Sequence, residues 1–168
     1  MFNSGATFEV DFKPEYVSND NDVLMCVGDP YGAHIEIKPN SAAYYENGSP
    51  IVKTNYKSGE RIKLCFVFNK YSPTFNSSNL VYIINNGILE RAWGRGNNNI
   101  GEDNTKITIG GTNSSIRVYM IRAYRFNLSP REALANYMFD NISNAELVSR
   151  NDVYGGGDTV TKEGLEGK

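Results

Sequence analysis

Glu60-Arg-Ile-Lys-Leu-Cys-Phe-Val-Phe-Asn69 is the stretch on which the fold turns. Ile62, Leu64, Phe66 and Phe68 recur two apart among β-branched and aromatic residues, so it reads as a long β-strand with those four inward. The segments around it repeat the message. Asn79 to Asn85 and Ile88 to Trp93 flank Asn86-Gly87, while Ser41 to Glu46 and Pro50 to Thr54 flank Asn47-Gly48. An Asn-Gly pair between two apolar runs suits a type I′ turn, because both residues tolerate positive φ, and each such unit reads as a hairpin.

Further out, Ala6 to Lys13 alternates strictly, with Phe8, Val10 and Phe12 on one face and Glu9 and Asp11 on the other. That polar face is expected to meet solvent. Asp22 to Gly28 is a near-continuous apolar run, Ala33 to Lys38 alternates again, and Thr105 to Ile109 and Ser115 to Phe126 complete about ten strands. With turn residues between them and no βαβ alternation, the chain reads as an all-β sandwich or jelly roll. One helix follows. Ser129, Pro130 and Glu132 form a capping box with proline at the first helical position, and Ala133, Leu134, Tyr137 and Met138 make an apolar stripe expected to end near Asp140. Residues 155–168 lose all periodicity and read as a flexible tail or a linker to a following domain, leaving 1–154 as one domain.

The 168 residues suit a single domain, and 20 aromatics argue against disorder. A net charge of −2 leaves no electrostatic footprint for nucleic acid. No apolar stretch approaches the ~20 residues of a membrane helix, so no membrane insertion is expected. Met1 to Gly5 show neither the basic nor the apolar region of a secretory signal. Cys26 and Cys65 lack metal-site spacing and sit in strand-like runs, where buried inert thiols are the rule; with one histidine, His34, a Cys/His zinc site is not expected.

Several segments, in order, carry a resemblance: Phe8-Glu-Val-Asp-Phe12, Ser58-Gly-Glu60 leading into the long strand, Val81-Tyr-Ile-Ile-Asn-Asn-Gly87, Ile107-Thr-Ile-Gly-Gly111, Arg117 to Arg125, then Leu128-Ser-Pro-Arg-Glu132 with Asn136-Tyr137. The pattern is similar to the laminin-G-like, concanavalin A-like lectin domains over residues 6–140, with one more Asn before Gly87 than the family's hairpin carries. The resemblance implies a concanavalin A-like jelly-roll sandwich of two antiparallel sheets with one short C-terminal helix. It implies a non-catalytic role in glycan binding or adhesion. Leu147 to Tyr154 further resembles the segment following such domains in tail or appendage proteins of bacteriophages infecting gut anaerobes. That implies a place in the virion, with a bacterial surface glycan or other virion subunits as partners; outside it, the implied place is extracellular or on a cell surface, within a larger protein. A purely structural virion domain is the second reading, and a degenerate glycoside hydrolase or lyase the third.

The enzyme reading rests on Glu9-Val10-Asp11. Glucanases of this fold carry E-x-D-x-x-E, but here Pro14 takes the third position and Glu15 is out of phase, so the carboxylate pair of a retaining mechanism is incomplete. Sugar binding calls for flat aromatic faces beside planar polar groups. Trp93 with Arg95, Asn97 and Asn98 in the following loop is one such cluster, and Tyr31 with Tyr44 and Tyr45 is another, the adjacent tyrosines pointing one in and one out of a sheet. The family's rim sites imply that calcium is the one metal to consider, with Asp20, Asp22 and Asp103 as candidate ligands; plain turn chemistry is the competing account. His34 and Glu36 share a strand face as a surface polar pair.

Overall fold

A computed structural model describes residues 5–69, 80–94, 106–110 and 113–153, with side chains at 5–69, 81–90, 106–110 and 113–141. The described residues form β1 (Ala6–Tyr16), β2 (Met25–Gly28), β3 (His34–Ile37), β4 (Ser41–Glu46), β5 (Ser49–Asn55), β6 (Ile62–Asn69), β7 (Leu80–Asn85), β8 (Ile88–Gly94), β9 (Ile107–Ile109), β10 (Ser115–Tyr124) and α1 (Pro130–Val153). The first sheet runs β10-β1-β6-β7-β8 and the second β5-β4-β3-β2-β9, both antiparallel. This is the expected two-sheet jelly-roll sandwich with a C-terminal helix.

Both Asn-Gly turns form as their sequence predicts. Asn47 (φ 49°) and Gly48 (φ 74°) join Glu46 to Ser49, and Asn86 (φ 48°) and Gly87 (φ 80°) join Asn85 to Ile88. The additional Asn before Gly87 has a further task. Its Oδ1 accepts the Lys63 N–H at 2.9 Å and its own N–H donates to the Lys63 carbonyl at 2.9 Å, which stitches the turn to β6.

Between the sheets lie Phe8, Val10 and Phe12 from β1, Leu64, Phe66 and Phe68 from β6, Val81 and Ile83 from β7, and Ile35, Ile37, Tyr44 and Val52 from the second sheet. Each such side chain stabilises by about 1.5–3 kcal/mol relative to exposure. Along one edge the sheets also meet through polar groups: Thr54 of β5 donates to Glu90 of β8, and the Asn85 amide donates to Thr54 and Glu90, each at 3.2 Å.

The opposite face of the first sheet departs from expectation. Glu9 is 0% exposed and Asp11 6%, so the polar face of β1 is buried. The reason is α1, which lies across it. Ala133 of the helix packs with Cys65, Val67, Tyr82 and Ile84 of the sheet. Asn136 and Asp140 complete the contact with polar groups. Asp140 takes Lys63 on one side and, at 2.9 and 3.0 Å, the guanidinium of Arg122 on the other. Glu9 accepts the Tyr124 hydroxyl at 3.0 Å and both carboxylate oxygens face the Asn136 amide at 3.4 Å. Asp11 is neutralised by a bidentate Arg61 at 2.7 and 2.8 Å. Burial alone would raise the Asp140 carboxyl, but hydrogen bonds and charge from Arg122 and Lys63 outweigh it and hold the group below the usual carboxylate value.

The helix starts where the capping box places it: Ser129 N–H donates to Glu132 at 2.7 Å and Glu132 N–H to the Ser129 hydroxyl at 3.3 Å. It runs to Val153, beyond the end near Asp140 that the apolar stripe suggests. The stripe does not mark the docked side either: Ala133 packs on the sheet, whereas Leu134 and Met138 are 40% and 54% exposed, because the docked side is completed by the polar Asn136 and Asp140.

Gly87 is where hairpin and helix touch. A Cβ there would meet Tyr137 Cδ1 at 2.8 Å and Leu134 Cδ1 at 3.0 Å, whereas one at Gly48, with similar φ, meets nothing within 4 Å. Gly48→Ala should therefore cost only the left-handed backbone term, about 1–2 kcal/mol, and Gly87→Ala measurably more by urea denaturation. Removing Asp140 strands Lys63, which is 7% exposed. Asp140→Ala should lose about 3 kcal/mol, against under ~1 for Lys57→Ala in the exposed Lys57–Glu60 pair. Since the folded Asp140 value is depressed, its contribution is complete above pH ~4 and is lost as pH falls through the lower folded value. An acid titration of stability should lack that component in Asp140→Asn.

Candidate functional site

Among the described residues, α1 lies across the first sheet and no element lies across the outer face of the second. Its register sets two rows of residues pointing away from the core. One row crosses Thr108, Cys26, Glu36, Ala43 and Lys53, and the next crosses Gly28, His34, Tyr45 and Pro50.

The centre is tightly braced. The His34 and Tyr45 rings stack at 5.0 Å with planes 5° apart. His34 Nδ1 lies 3.2 Å from the Gly32 carbonyl, and Nε2 lies 3.4 Å from Glu36. Glu36 in turn pairs with Lys38 at 3.2 Å, and the Lys38 ammonium sits 6.0 Å from the Tyr45 ring centroid. His34 is itself 2% exposed, so it props Tyr45 rather than meeting a ligand. The Tyr45 ring is thus held between the His34 stack and the Lys38 ammonium that lies over it.

Tyr31 stands at the same end of the sheet, in the loop joining β2 to β3. The loop is pinned: Asp29 accepts the Tyr31 N–H at 3.0 Å through its side chain and the Gly32 N–H at 2.9 Å through its carbonyl. Gly28 (φ 112°) lets the loop fold back, since a Cβ there would lie 2.5 Å from the Ala33 carbonyl. The backbone is fixed, yet the Tyr31 side chain is 93% exposed. An aromatic held out in water on a fastened loop is available for stacking at little ordering cost.

The sequence candidates thus separate. Tyr31 and Tyr45 lie toward the same end of the second sheet, where Gly28 pairs with His34 and His34 with Tyr45. Tyr44 does not join them; it is fully buried in the core, its ring edge-on to Phe68 at 5.0 Å and its hydroxyl donating to Glu46. Trp93 lies on β8, paired through its backbone with Val81 in the other sheet. Arg95, Asn97, Asn98 and Asp103 lie outside the described residues. His34, Glu36 and Lys38 are the site residues that sequence reasoning passed over or set aside, although the alternation of Ala33 to Lys38 already placed the first two on one face.

Metal and nucleophile chemistry find little support. The Asn19 side chain accepts the Asn21 N–H at 2.9 Å, as plain turn chemistry requires, and Asp22 accepts the Ser114 hydroxyl just before β10. Asp20 is exposed, and among the described residues no three His, Cys, Asp or Glu side chains are placed to hold a metal ion. Burial first, then the charges of Glu36 and Asp29, push the Cys26 thiol up; burial and Glu9 raise Cys65 more strongly. A nucleophilic cysteine needs the opposite shift. Glu9 and Asp11, the carboxylates of the glucanase-like motif, are tied up beneath α1 and by Arg61.

No family model and no curated protein matches the sequence. Among solved structures, the binding domain of botulinum neurotoxin DC in complex with rat synaptotagmin II superimposes with a TM-score of 0.58 at 13% identity, over 80% of this chain and 35% of that one. A structure of botulinum neurotoxin type C, whose cell entry is described as dependent upon interaction with two ganglioside molecules, gives 0.59 at 12% identity, over 80% of this chain and 35% of that one. The serotype G binding domain gives 0.52 at 11%, over 83% and 37%. The likeness is one of fold. The chain spans about a third of the length of those structures.

Both thiols should resist iodoacetamide at neutral pH in the folded protein and react fully in denaturant. Fast modification of Cys26 in the native state would show that its thiolate is accessible.

Proposed function

We propose that this chain is a non-catalytic recognition module that takes a bacterial surface glycan on the outer face of its second sheet, as part of a phage virion structural protein. One observation carries the reading: Tyr31, on a pinned loop, and Tyr45, braced by His34, present aromatic faces beside Glu36 and Lys38 at one end of an open sheet. Sugars are bound by that combination, C–H faces stacking on rings and hydroxyls bonding to charged or amide groups. The neurotoxin domains of like fold, described as binding a protein receptor or gangliosides, support a recognition role. The phage context rests on the resemblance of Leu147 to Tyr154. Trp93, with Arg95, Asn97 and Asn98, is a second contact zone in this proposal.

Catalysis is not proposed, because Pro14 replaces the third carboxylate of the glucanase pattern and Glu9 and Asp11 are engaged in ion pairs and hydrogen bonds. The reading as an assembly domain is favoured by a different surface, the outward side of α1.

On an array of bacterial surface glycans the protein should bind saturably. Tyr45→Ala and Tyr31→Ala should each weaken binding about tenfold, with unchanged circular dichroism. Trp93→Ala tests the second zone. Absence of binding across the array would remove the glycan reading.

A further inference from the structure

His34, the one histidine of the chain, touches each part of the tyrosine face. Its ring lies flat against Tyr45. Its Nδ1 is 3.2 Å from the carbonyl of Gly32, the residue after Tyr31 in the pinned loop. Its Nε2 is 3.4 Å from the Glu36 carboxylate. Both nitrogens therefore face acceptors, in a side chain that is buried. A neutral imidazole has one N–H and one lone pair, and only the protonated ring has two N–H donors. In the neutral ring one nitrogen must turn its lone pair toward an oxygen, that of the loop or that of Glu36.

We propose that His34 is a positioning residue whose second proton strengthens glycan binding at this face, so that the module binds more tightly in mild acid than above neutrality. The inference rests on the reading of the face as a glycan site. With both protons present, Nδ1–H holds the Tyr31 loop through Gly32 and Nε2–H holds Glu36, so that loop, stacked Tyr45 and carboxylate form one connected unit. Loss of a proton releases one of the two tethers. A face left partly untethered must be ordered by its ligand, and affinity falls. Around the ring, Glu36 attracts the imidazolium, and Lys38, which shares that carboxylate at 3.2 Å, repels it. The other ionisable groups on this side are Asp29 in the loop, Cys26 of β2 opposite Glu36, and Tyr45 of β4. The residue paired with His34 on β2 is Gly28, which brings no side chain and donates its N–H to the Lys106 carbonyl. One tether is a single hydrogen bond, worth about tenfold in affinity. Linkage is reciprocal, so a tenfold preference also moves the midpoint of the His34 titration upward by about one pH unit when the face is saturated.

Two measurements on the full 168-residue chain test it. First, the array of bacterial surface glycans is read at about pH 5.5 and about pH 8, a window in which an ordinary carboxylate stays ionised and an ordinary imidazole changes charge. Binding should be about tenfold tighter at the lower value. His34→Gln, which takes no proton, should bind equally at both. Glu36→Gln, at a largely surface position where folding should survive, should reduce the difference. Second, magnetic resonance of the single histidine follows its ring nitrogens over the same window without glycan. The Gly32 and Tyr31 backbone signals and the Tyr45 ring signals should shift with the same midpoint. Wild-type binding that is equal at both values overturns the proposal. So does a His34 ring that gains no proton across the window, or one that titrates while Gly32, Tyr31 and Tyr45 stay still. An array silent at both values removes the glycan reading instead, and the resonance measurement then decides alone whether His34 couples the loop to Tyr45.

Discussion

Three charged groups from three distant parts of the chain meet beneath one helix, and the arrangement of the molecule depends on that meeting. Asp140 sits between Lys63 of β6 and Arg122 of β10, and Arg122 also lies 3.6 Å from Glu9 of β1. Each charge is expensive to bury alone and tolerable in company. The cluster therefore fixes more than the helix. It sets how β10, β1 and β6 lie under α1, because a helix displaced along the sheet would take Asp140 from Lys63 and Arg122 and the Asn136 amide from Glu9. Directional pairing at the centre and apolar packing of Ala133 at the side give the docking a single register.

The same contact divides the molecule into a closed side and an open one. One sheet spends its outward residues on the helix. The other keeps a braced tyrosine and a fastened loop bearing a second. A binding face that is rigid before its ligand arrives loses little entropy on occupation, and His34 contributes to this although it touches no solvent. The helix contributes as well, by keeping the polar face of β1 out of competition.

What was legible in the sequence was what neighbours in sequence decide. Asn47-Gly48 and Asn86-Gly87 name their turns, Ser129 to Glu132 names a helix start, and period-two patterns name strands, because each depends on residues within a few positions. The fate of Glu9 and Asp11 was hidden, since alternation says only that they oppose Phe8 and Val10, and the groups that bury and neutralise them stand 50 to 127 residues away. Tyr44 and Tyr45 illustrate the midpoint. The sequence divides the pair between two faces, but only the pairing of Ile35 with Tyr44 and His34 with Tyr45 tells which ring is core. The site was half visible for the same reason. Tyr31 stood out as an aromatic in a turn, while the role of His34 needed Gly32, Glu36 and Tyr45 gathered around it.

The position of β1 bears on how the chain reaches this state. Thr7 pairs with Val67 on one side and Tyr124 on the other, so the strand made first is enclosed by one made midway and one made last. During synthesis the two Asn-Gly hairpins can close within microseconds of emerging, whereas β1 keeps a bare edge, and Glu9 an unanswered charge, until β10 and α1 leave the ribosome. Completion of the sandwich is thus a late, long-range event. Until then the Glu9 face of β1 is uncovered, and that same charge discourages the open edge from pairing with a neighbouring chain before its own partner arrives.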